Sequence, residues 1–380
     1  MKINVNSEVL NSCLDYISDV LPSKPSMAIC GGIFLECKEN ELTLIGTDLQ
    51  NTVKIFVECE VKEKGQTVIP GKPFISLIKQ FKEEEIKIEK KEKFINIISE
   101  NFQYSFIEME VEDFPKFPKF SSEISFKVKG QTLKNAFKKT IFCIDPEEPR
   151  QQFRGGLFDI KEKSINIVGT DTRRLSLFSI IFEDIFKKQT KVLLSHLLIK
   201  KMISILNDET EVEVIIGKNN ISFQTGFTKT LKENKKIQGN IMIVSQLLSG
   251  AEEFPDYEKV IPDIKKSKIS KINRESFLTS LKRVSLFTSE RNNKVKLSFK
   301  NNLLVISTAG ELGEANEKIN ISYNDEEIDI AFPPDFLIEF LQVIESQEVI
   351  FAFTSSTKPV LMKSEEESPF LYVCMPLKIE

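Results

Sequence analysis

The chain has 380 residues, 41% of them hydrophobic, and 52 Lys and Arg against 56 Asp and Glu give a net charge of −4. That length fits two to three domains with real cores and excludes a disordered or fibrous chain. The near-neutral charge excludes a protein that grips nucleic acid over its whole surface, because such a surface is basic.

A short strand and a helix open the chain. Val9, Leu10, Cys13, Leu14, Ile17, Val20 and Leu21 fall at helical spacing, and Ser7 is placed to cap them. GGIFLECKENELTLIGTDLQN (31 to 51) reads as a strand pair. TVIPGKPFISLIKQF (67 to 81) reads as an apolar strand, a short turn and an amphipathic helix. EEEIKIEKKEKFINIIS (83 to 99) alternates with period two around a polar turn and predicts a hairpin. The Pro-punctuated FPKFPKF (114 to 120) ends this unit.

The series then repeats. Leu133, Ala136, Phe137, Ile141 and Ile144 mark a helix, and GGLFDIKEKSINIVGTDTRR (155 to 174) lines up with the earlier strand pair. Gly-Thr-Asp at 46 to 48 recurs at 169 to 171. TKVLLSHLLIKKMISIL (190 to 206) is the second strand and helix, and TEVEVIIGKNNISFQT (210 to 225) the second hairpin. The lysine-rich stretch from Thr228 to Met242 has no clear period and predicts a longer, exposed loop. PDIKKSK (262 to 268) is the next link. Phe277, Leu278, Leu281 and Val284 begin a third copy, which continues in VKLSFKNNLLVISTAGEL (295 to 312), with Ala309 where the Asp stood. DIAFPPDFLIEFLQVI (329 to 344) and QEVIFAFTSSTKPVLMK (347 to 363) complete it.

One domain type used three times follows from this, with domains at 1–122, 123–266 and 267–380. The element order reads αββαββ, with antiparallel strands and helices on one face, an α+β fold. Such a chain is expected to be a ring or scaffold rather than a one-pocket enzyme.

The six cysteines, Cys13, Cys30, Cys37, Cys59, Cys143 and Cys374, form no CxxC pair, and His196 is the one histidine. No zinc site, metal or cofactor is expected, and the thiols read as reduced and mostly buried. The N-terminal MKINVNSEVL lacks the apolar core of a signal peptide, and no run reaches the length of a membrane span. A cytoplasmic protein is expected.

Four segments together resemble the bacterial DNA polymerase III beta subunit family, the sliding clamps. They are LTLIGTDLQ (42 to 50), VGTDTRRLS (168 to 176), EEFPDYEKVIP (252 to 262) and YVCMPLKIE (372 to 380). The resemblance covers the whole chain at low identity. It implies the DNA clamp fold, three clamp-type domains with antiparallel sheets outside and helices lining a ring. Two chains would close head to tail as a homodimer. The implied function is a processivity factor of DNA replication, part of the DNA polymerase III holoenzyme. It would encircle double-stranded DNA without reading sequence. It would tether the replicative polymerase, the clamp loader and other replication and repair proteins carrying a clamp motif. No chemistry of its own is implied.

A sliding tether needs phosphate attraction without base contacts, which flexible lysines supply. The DNA-binding candidates on helices are Lys72 and Lys79, seven apart on one face, Lys134 and Lys138, one turn apart, and Lys200, Lys201, Lys282 and Arg283. The resemblance adds Lys24, in the loop after the first helix. Glu8, Asp15 and Asp19 on the first helix and Asp335 and Glu339 on the last count against a uniformly basic lining. The resemblance also implies a partner-peptide pocket between domains two and three. Its matched positions are Thr170, Thr172, Arg174, Leu175, Pro255, Lys259, Val260, Val373, Met375, Pro376, Leu377 and Lys378. Leu, Val, Met and Pro make an apolar slot there, and Thr, Arg and Lys a polar rim. Thr172 and Arg173 stand where the family often has Gly-His, which makes the edge more crowded and more positive. Position matching puts Tyr104 and Phe106 against Leu286 and Phe287 at the dimer interface.

Two rival readings remain. The repeated Asp48 and Asp171 invite a hydrolase with general acid/base chemistry. A turn Asp accepting backbone N–H bonds explains them more simply, and no phosphate loop, nucleophile elbow or second histidine is present. The other rival is a repeat scaffold that binds proteins but not DNA.

Overall fold

The structure, a computed structural model, describes residues 1–82, 85–119, 122–231, 236–289, 292–311, 313–366 and 369–379. It divides into two compact units, Met1–Lys134 with Lys201–Leu247, and Asn135–Lys200 with Leu248–Glu380.

The elements begin with β1 (Lys2–Asn6), α1 (Ser7–Ser18), β2 (Gly32–Lys38), β3 (Glu41–Thr47), β4 (Asn51–Glu58), β5 (Glu60–Glu63), β6 (Gly65–Pro70), α2 (Gly71–Ile78), β7 (Glu85–Lys91), β8 (Phe94–Ile98) and β9 (Gln103–Ile107). Next come β10 (Ile124–Lys129), α3 (Gly130–Ile141), β11 (Gly155–Ile160), β12 (Ser164–Thr170), β13 (Arg174–Ile181), β14 (Thr190–Ser195), α4 (His196–Ile205), β15 (Glu211–Ile216), β16 (Asn220–Thr230) and β17 (Lys236–Gln246). The last are β18 (Lys268–Asn273), α5 (Arg274–Ser285), β19 (Val295–Lys300), β20 (Leu303–Gly310), β21 (Gly313–Asn320), β22 (Ile328–Phe332), α6 (Pro334–Val343), β23 (Glu348–Phe353), β24 (Val360–Lys363) and β25 (Phe370–Cys374).

Each copy is therefore βαβββ used twice, with β5 an insertion in the first. The predicted αββαββ order lacks the third strand of each half. The first unit holds a sheet β5-β1-β7-β8-β9 and a longer one, β10-β15-β16-β17-β4-β3-β2-β6. The second unit holds β14-β11-β12-β13-β25-β24-β23-β18 and β21-β20-β19-β22. The two long sheets each join strands from two successive copies, at β4–β17 and β13–β25, by antiparallel ladders.

The helices bury the predicted faces. Val9, Leu10, Cys13, Leu14 and Ile17 of α1 are all fully buried. The cap differs by one residue: the Asn6 side chain, not Ser7, accepts from the amides of Glu8 and Val9. Asn serves this role as well as Ser, and the chain turns helical one residue earlier than its apolar period indicates.

The recurring Gly of Gly-Thr-Asp has a steric cause. A Cβ on Gly46 would lie 2.6 Å from Ile17 Cγ2, and one on Gly169 would lie 2.3 Å from the Thr140 carbonyl oxygen. In both places the first helix of the copy rests directly on the strand. The third copy corrects the sequence alignment. The two-residue hairpins pair Lys38 with Glu41 and Lys300 with Leu303, so Gly310, not Ala309, stands at the place of Asp48.

The expected loop over 228–242 is also corrected. Residues 228–230 and 236–242 belong to β16 and β17, paired from Asn220↔Gln246 to Thr230↔Lys236. Residues 232–235 lie outside the described residues. A ladder satisfies the backbone of this segment, and of its apolar residues Ile241 is buried while Ile237 and Met242 are half-buried.

Candidate functional site

Both Asp turns are built alike. Asp48 Oδ1 accepts from the amides of Gln50 and Asn51, and Asp171 Oδ1 accepts from those of Arg173 and Arg174. Each carboxylate is spent on its own turn, the simpler of the two sequence readings. Leu49 and Thr172 follow the two aspartates with φ of 76° and 73°. A β-branched residue in that left-handed region is strained.

The second turn abuts the C-terminal tail. Arg174 pairs with Cys374 and Leu175 with Val373, and the Met375 amide donates to the Arg173 carbonyl at 2.9 Å. β25 ends there, and the Leu377 amide donates instead to Ala331 at 2.8 Å. Met375 is left 42% exposed, and Pro376 and Leu377 are half-buried. Leu175 and Val373 form a buried floor with Phe254 and Tyr257. Tyr257 is fixed there because its hydroxyl donates to Asp159 at 2.6 Å and accepts from Asn166 at 2.9 Å. The segment beyond it carries Val260, 46% exposed, and exposed Lys259, which pairs with Asp256 at 3.0 Å. Pro255, Thr172 and Lys378 are exposed as well.

Thr170 is buried, donating to the Arg174 carbonyl and accepting from the Thr172 amide, so it shapes the turn. The Arg174 guanidinium is fully engaged. It donates to Asp171 at 2.8 Å, to the Phe142 carbonyl at 2.8 Å and to Glu339. It also lies 4.3 Å from the Phe336 ring centroid. Sequence reasoning missed Phe142 and Phe336. It took Glu339 as an acidic residue on a DNA-facing helix, whereas that carboxylate binds Arg174. Phe336 and Glu339 sit in the third-copy segment DIAFPPDFLIEFLQVI, but no spacing rule ties them to an arginine in the second copy, and nothing in the spacing singles out Phe142.

The cationic candidates divide sharply. Lys24, Lys72, Lys138, Lys200 and Lys282 are exposed. Lys79 pairs with Asp15 at 2.8 Å, Lys134 with Asp208 at 3.5 Å, and Arg283 makes two bonds to Glu317 at 2.5 and 2.6 Å. Lys201 is a correction: it is 3% exposed, and its ammonium has no hydrogen-bond partner among the described residues. The cause is helical geometry, because it lies between Leu198 and Ile205 on the buried face of α4. Burial pushes it down to about 8, against the opposing pull of Asp19 and Asp48.

Tyr104 is 46% exposed on β9, and Phe106 is half-buried with its ring edge-on to Phe74 at 6.2 Å. Leu286 is 71% exposed and Phe287 half-buried, just past α5. His196 opens α4 half-buried, lowered by burial and then by Lys200. All six cysteines are free, and burial holds Cys13, Cys37 and Cys374 up at about 12, so these thiols are inert. Among the described residues no His, Cys, Asp and Glu group could hold a metal, and no helix is long and apolar enough to cross a membrane.

Three family models match in succession. The N-terminal domain of the DNA polymerase III beta subunit matches residues 1–118, the central domain 127–256 and the C-terminal domain 258–378. The beta sliding clamp of Chlamydia pneumoniae is 27% identical over 383 residues, covering 100% of this chain and 99% of that one. The beta sliding clamp of Staphylococcus epidermidis is 26% identical, covering 97% of each. A crystal structure of the Pseudomonas aeruginosa DNA polymerase III subunit beta bound to griselimycin superposes with a TM-score of 0.91 at 21% identity, over 100% of both chains.

Proposed function

Because the chain belongs to the DNA polymerase III beta subunit family, we propose that it is a sliding clamp, a ring of two copies around duplex DNA. It acts as a processivity factor by topology, without catalysis, in the cytoplasm. Its domains are 1–122, 123–266 and 267–380. The observation that carries this reading is the set of seams. β17 completes the sheet of β4 and β25 completes that of β13, while β9 and β21 are left as sheet edges. A head-to-tail partner supplies what each edge lacks, and a heterologous contact that closes gives a ring.

Exposed Lys24, Lys72, Lys138, Lys200 and Lys282 would face phosphates, with weak, salt-sensitive contact suited to sliding. Lys79, Lys134 and Arg283 would serve as ion-pair partners within the chain, and Lys201 is withdrawn from this set. The partner-peptide slot would run over Met375, Leu377, Val260 and Pro255, on the floor of Leu175 and Val373 and beside the turn of Thr170, Thr172 and Arg174. Pro376, Lys259 and Lys378 would line its rim. Replicative polymerase, clamp loader and other motif-bearing proteins are the partners.

The test is retention on DNA. Protein loaded on nicked circular DNA should stay bound in moderate salt and be lost when the circle is cut. Equal retention on linear DNA would overturn the ring, and a scaffold or enzyme would show no dependence on ends.

A further inference from the structure

A Phe-Pro-x-aromatic segment occurs twice, at Phe114–Phe117 and at Phe254–Tyr257. Each straps the same place on its own sheet. Phe114 packs in a cluster with Ile45 and Val68, against Phe34, and Phe254 packs in one with Leu157, Val168 and Leu193. The ladders make these residues equivalent, since Phe34 faces Ile45 and Val68 as Leu157 faces Val168 and Leu193.

The two straps differ at their fourth residue. Phe117 is half-buried, with the Lys54 ammonium 5.2 Å from its ring centroid. Tyr257 is 3% exposed, and its hydroxyl donates to Asp159 and accepts from Asn166, which lie opposite each other on β11 and β12. Ser179 of β13 donates in turn to Asn166 Oδ1 at 2.8 Å. In the first copy Glu36 and Thr43 stand at the two corresponding places, and Phe117 has no hydroxyl to offer them. Asp159 and Asn166 are themselves buried, so a shifted strap would leave a carboxylate and an amide without these partners in the interior. Lys161 closes the rim, 3.7 Å from Asp159 and paired with Glu258, the residue after Tyr257. The bolted strap is the one packed with Leu175 and Val373, the floor that ends at exposed Met375.

Resting on the partner-peptide reading above, we propose that Asp159 and Asn166 are positioning residues of the slot. Through the Tyr257 hydroxyl they hold the strap in one place, so that Pro255 and Val260, two residues before the bolt and three after it, stand as a ready-made wall. They act from the sheet beneath the strap, not by contact with the peptide. A wall fixed in advance loses little freedom when a peptide docks, which raises affinity.

The test titrates full-length protein with a labelled synthetic peptide carrying adjacent leucine and phenylalanine. Tyr257→Phe keeps the ring and removes the bolt, and should weaken binding roughly 10-fold with native mass unchanged. Asn166→Leu should weaken it similarly, and the double variant no more than the worse single one, because both cut the same network. Wild-type affinity in Tyr257→Phe, or additive losses, overturns the proposal. Ile167→Val trims a fully buried side chain on the other face of β12, lowering stability without touching the bolt, and should bind as wild type does. Equal weakening there would trace the effect to general stability and overturn the positioning role. Amide exchange is an independent readout. The Lys259 and Ile261 amides, bonded within the turn, should exchange faster in Tyr257→Phe than in Ile167→Val, and equal rates overturn the bolt. A wild type that binds no such peptide would instead sink the slot reading, and the exchange rates would still decide whether the bolt holds the strap.

Discussion

The seam in the first unit and the seam in the second share one backbone plan and differ in what they leave open. β4 and β17 pair from Asn51↔Ser245 to Val57↔Gly239, and β17 belongs to a long hairpin with β16. Ser245 Oγ donates to Asn51 at 2.8 Å, and the end of the seam is sealed by small polar groups. β13 and β25 pair only from Arg174↔Cys374 to Phe178↔Phe370, and the chain then veers to Ala331, leaving Met375 exposed. The sixth residue of the adjoining helix differs as well. Glu339 of α6 is satisfied by Arg174, whereas Lys201 of α4 is buried with no hydrogen-bond partner among the described residues. A duplicated junction can thus be closed in one place and left open in another, at the place where the proposed partner peptide would dock.

Substituting the two seam glycines breaks the symmetry most. Gly169→Ala drives a Cβ into backbone at Thr140 and should cost about 3 kcal/mol, while Gly46→Ala meets side-chain methyls, Cγ2 of Ile17 foremost, and should cost about 1 kcal/mol. Chemical denaturation measures both, and equal costs would mean that the helices sit alike. The double change Met375→Ala and Leu377→Ala should weaken partner-peptide binding roughly 100-fold by titration, with the dimer intact. Loss of the dimer would make the tail structural.

Lys201→Met should stabilise the first unit by roughly 2 kcal/mol at neutral pH. Folding lowers this lysine from 10.5 to about 8, so the unfolded chain binds the extra proton between those values. Wild-type stability should therefore rise as pH climbs from about 8 toward 10.5, and the Met variant should lose that rise. A flat wild-type profile there would refute a buried ammonium. The smallest effect is expected for Thr172→Gly. Relief of a left-handed β-branched residue is worth about 1–2 kcal/mol, and the added freedom of unfolded glycine removes about 0.5–1. A net gain of some tenths should appear in Tm, together with altered peptide affinity at the widened edge.

The sequence carried the threefold plan because Gly-Thr-Asp, the helical periods and the hairpins are local signals. It did not reveal β21, whose GEANEKIN has almost no apolar residue, and periodicity gave no sign of β9, where Tyr104 is 46% exposed and Phe106 half-buried. Edge strands bury too little to leave an alternating pattern. The tail motif and the Asp turn singled out Met375, Leu377, Thr172 and Arg174, which the structure places around one junction of β13 and β25. The aromatic bracket of Phe142 and Phe336 was not legible, because it joins the residue just past α3 and one in α6 to β13 across long stretches of chain. Lys201 misled because adjacent lysines look alike in sequence, while a 100° helical step separates water from core.

The seam of β13 and β25 also has a price in time. On the ribosome Ile181 emerges about 190 residues before Phe370. At ordinary synthesis speeds the edge of β13, with Leu175 and Leu177, waits roughly 10–40 s for its neighbour. During that interval a nascent chain bears an unfinished sheet, and a transcript cut short of the last copy would leave it unfinished for good, a target for chaperones and proteases.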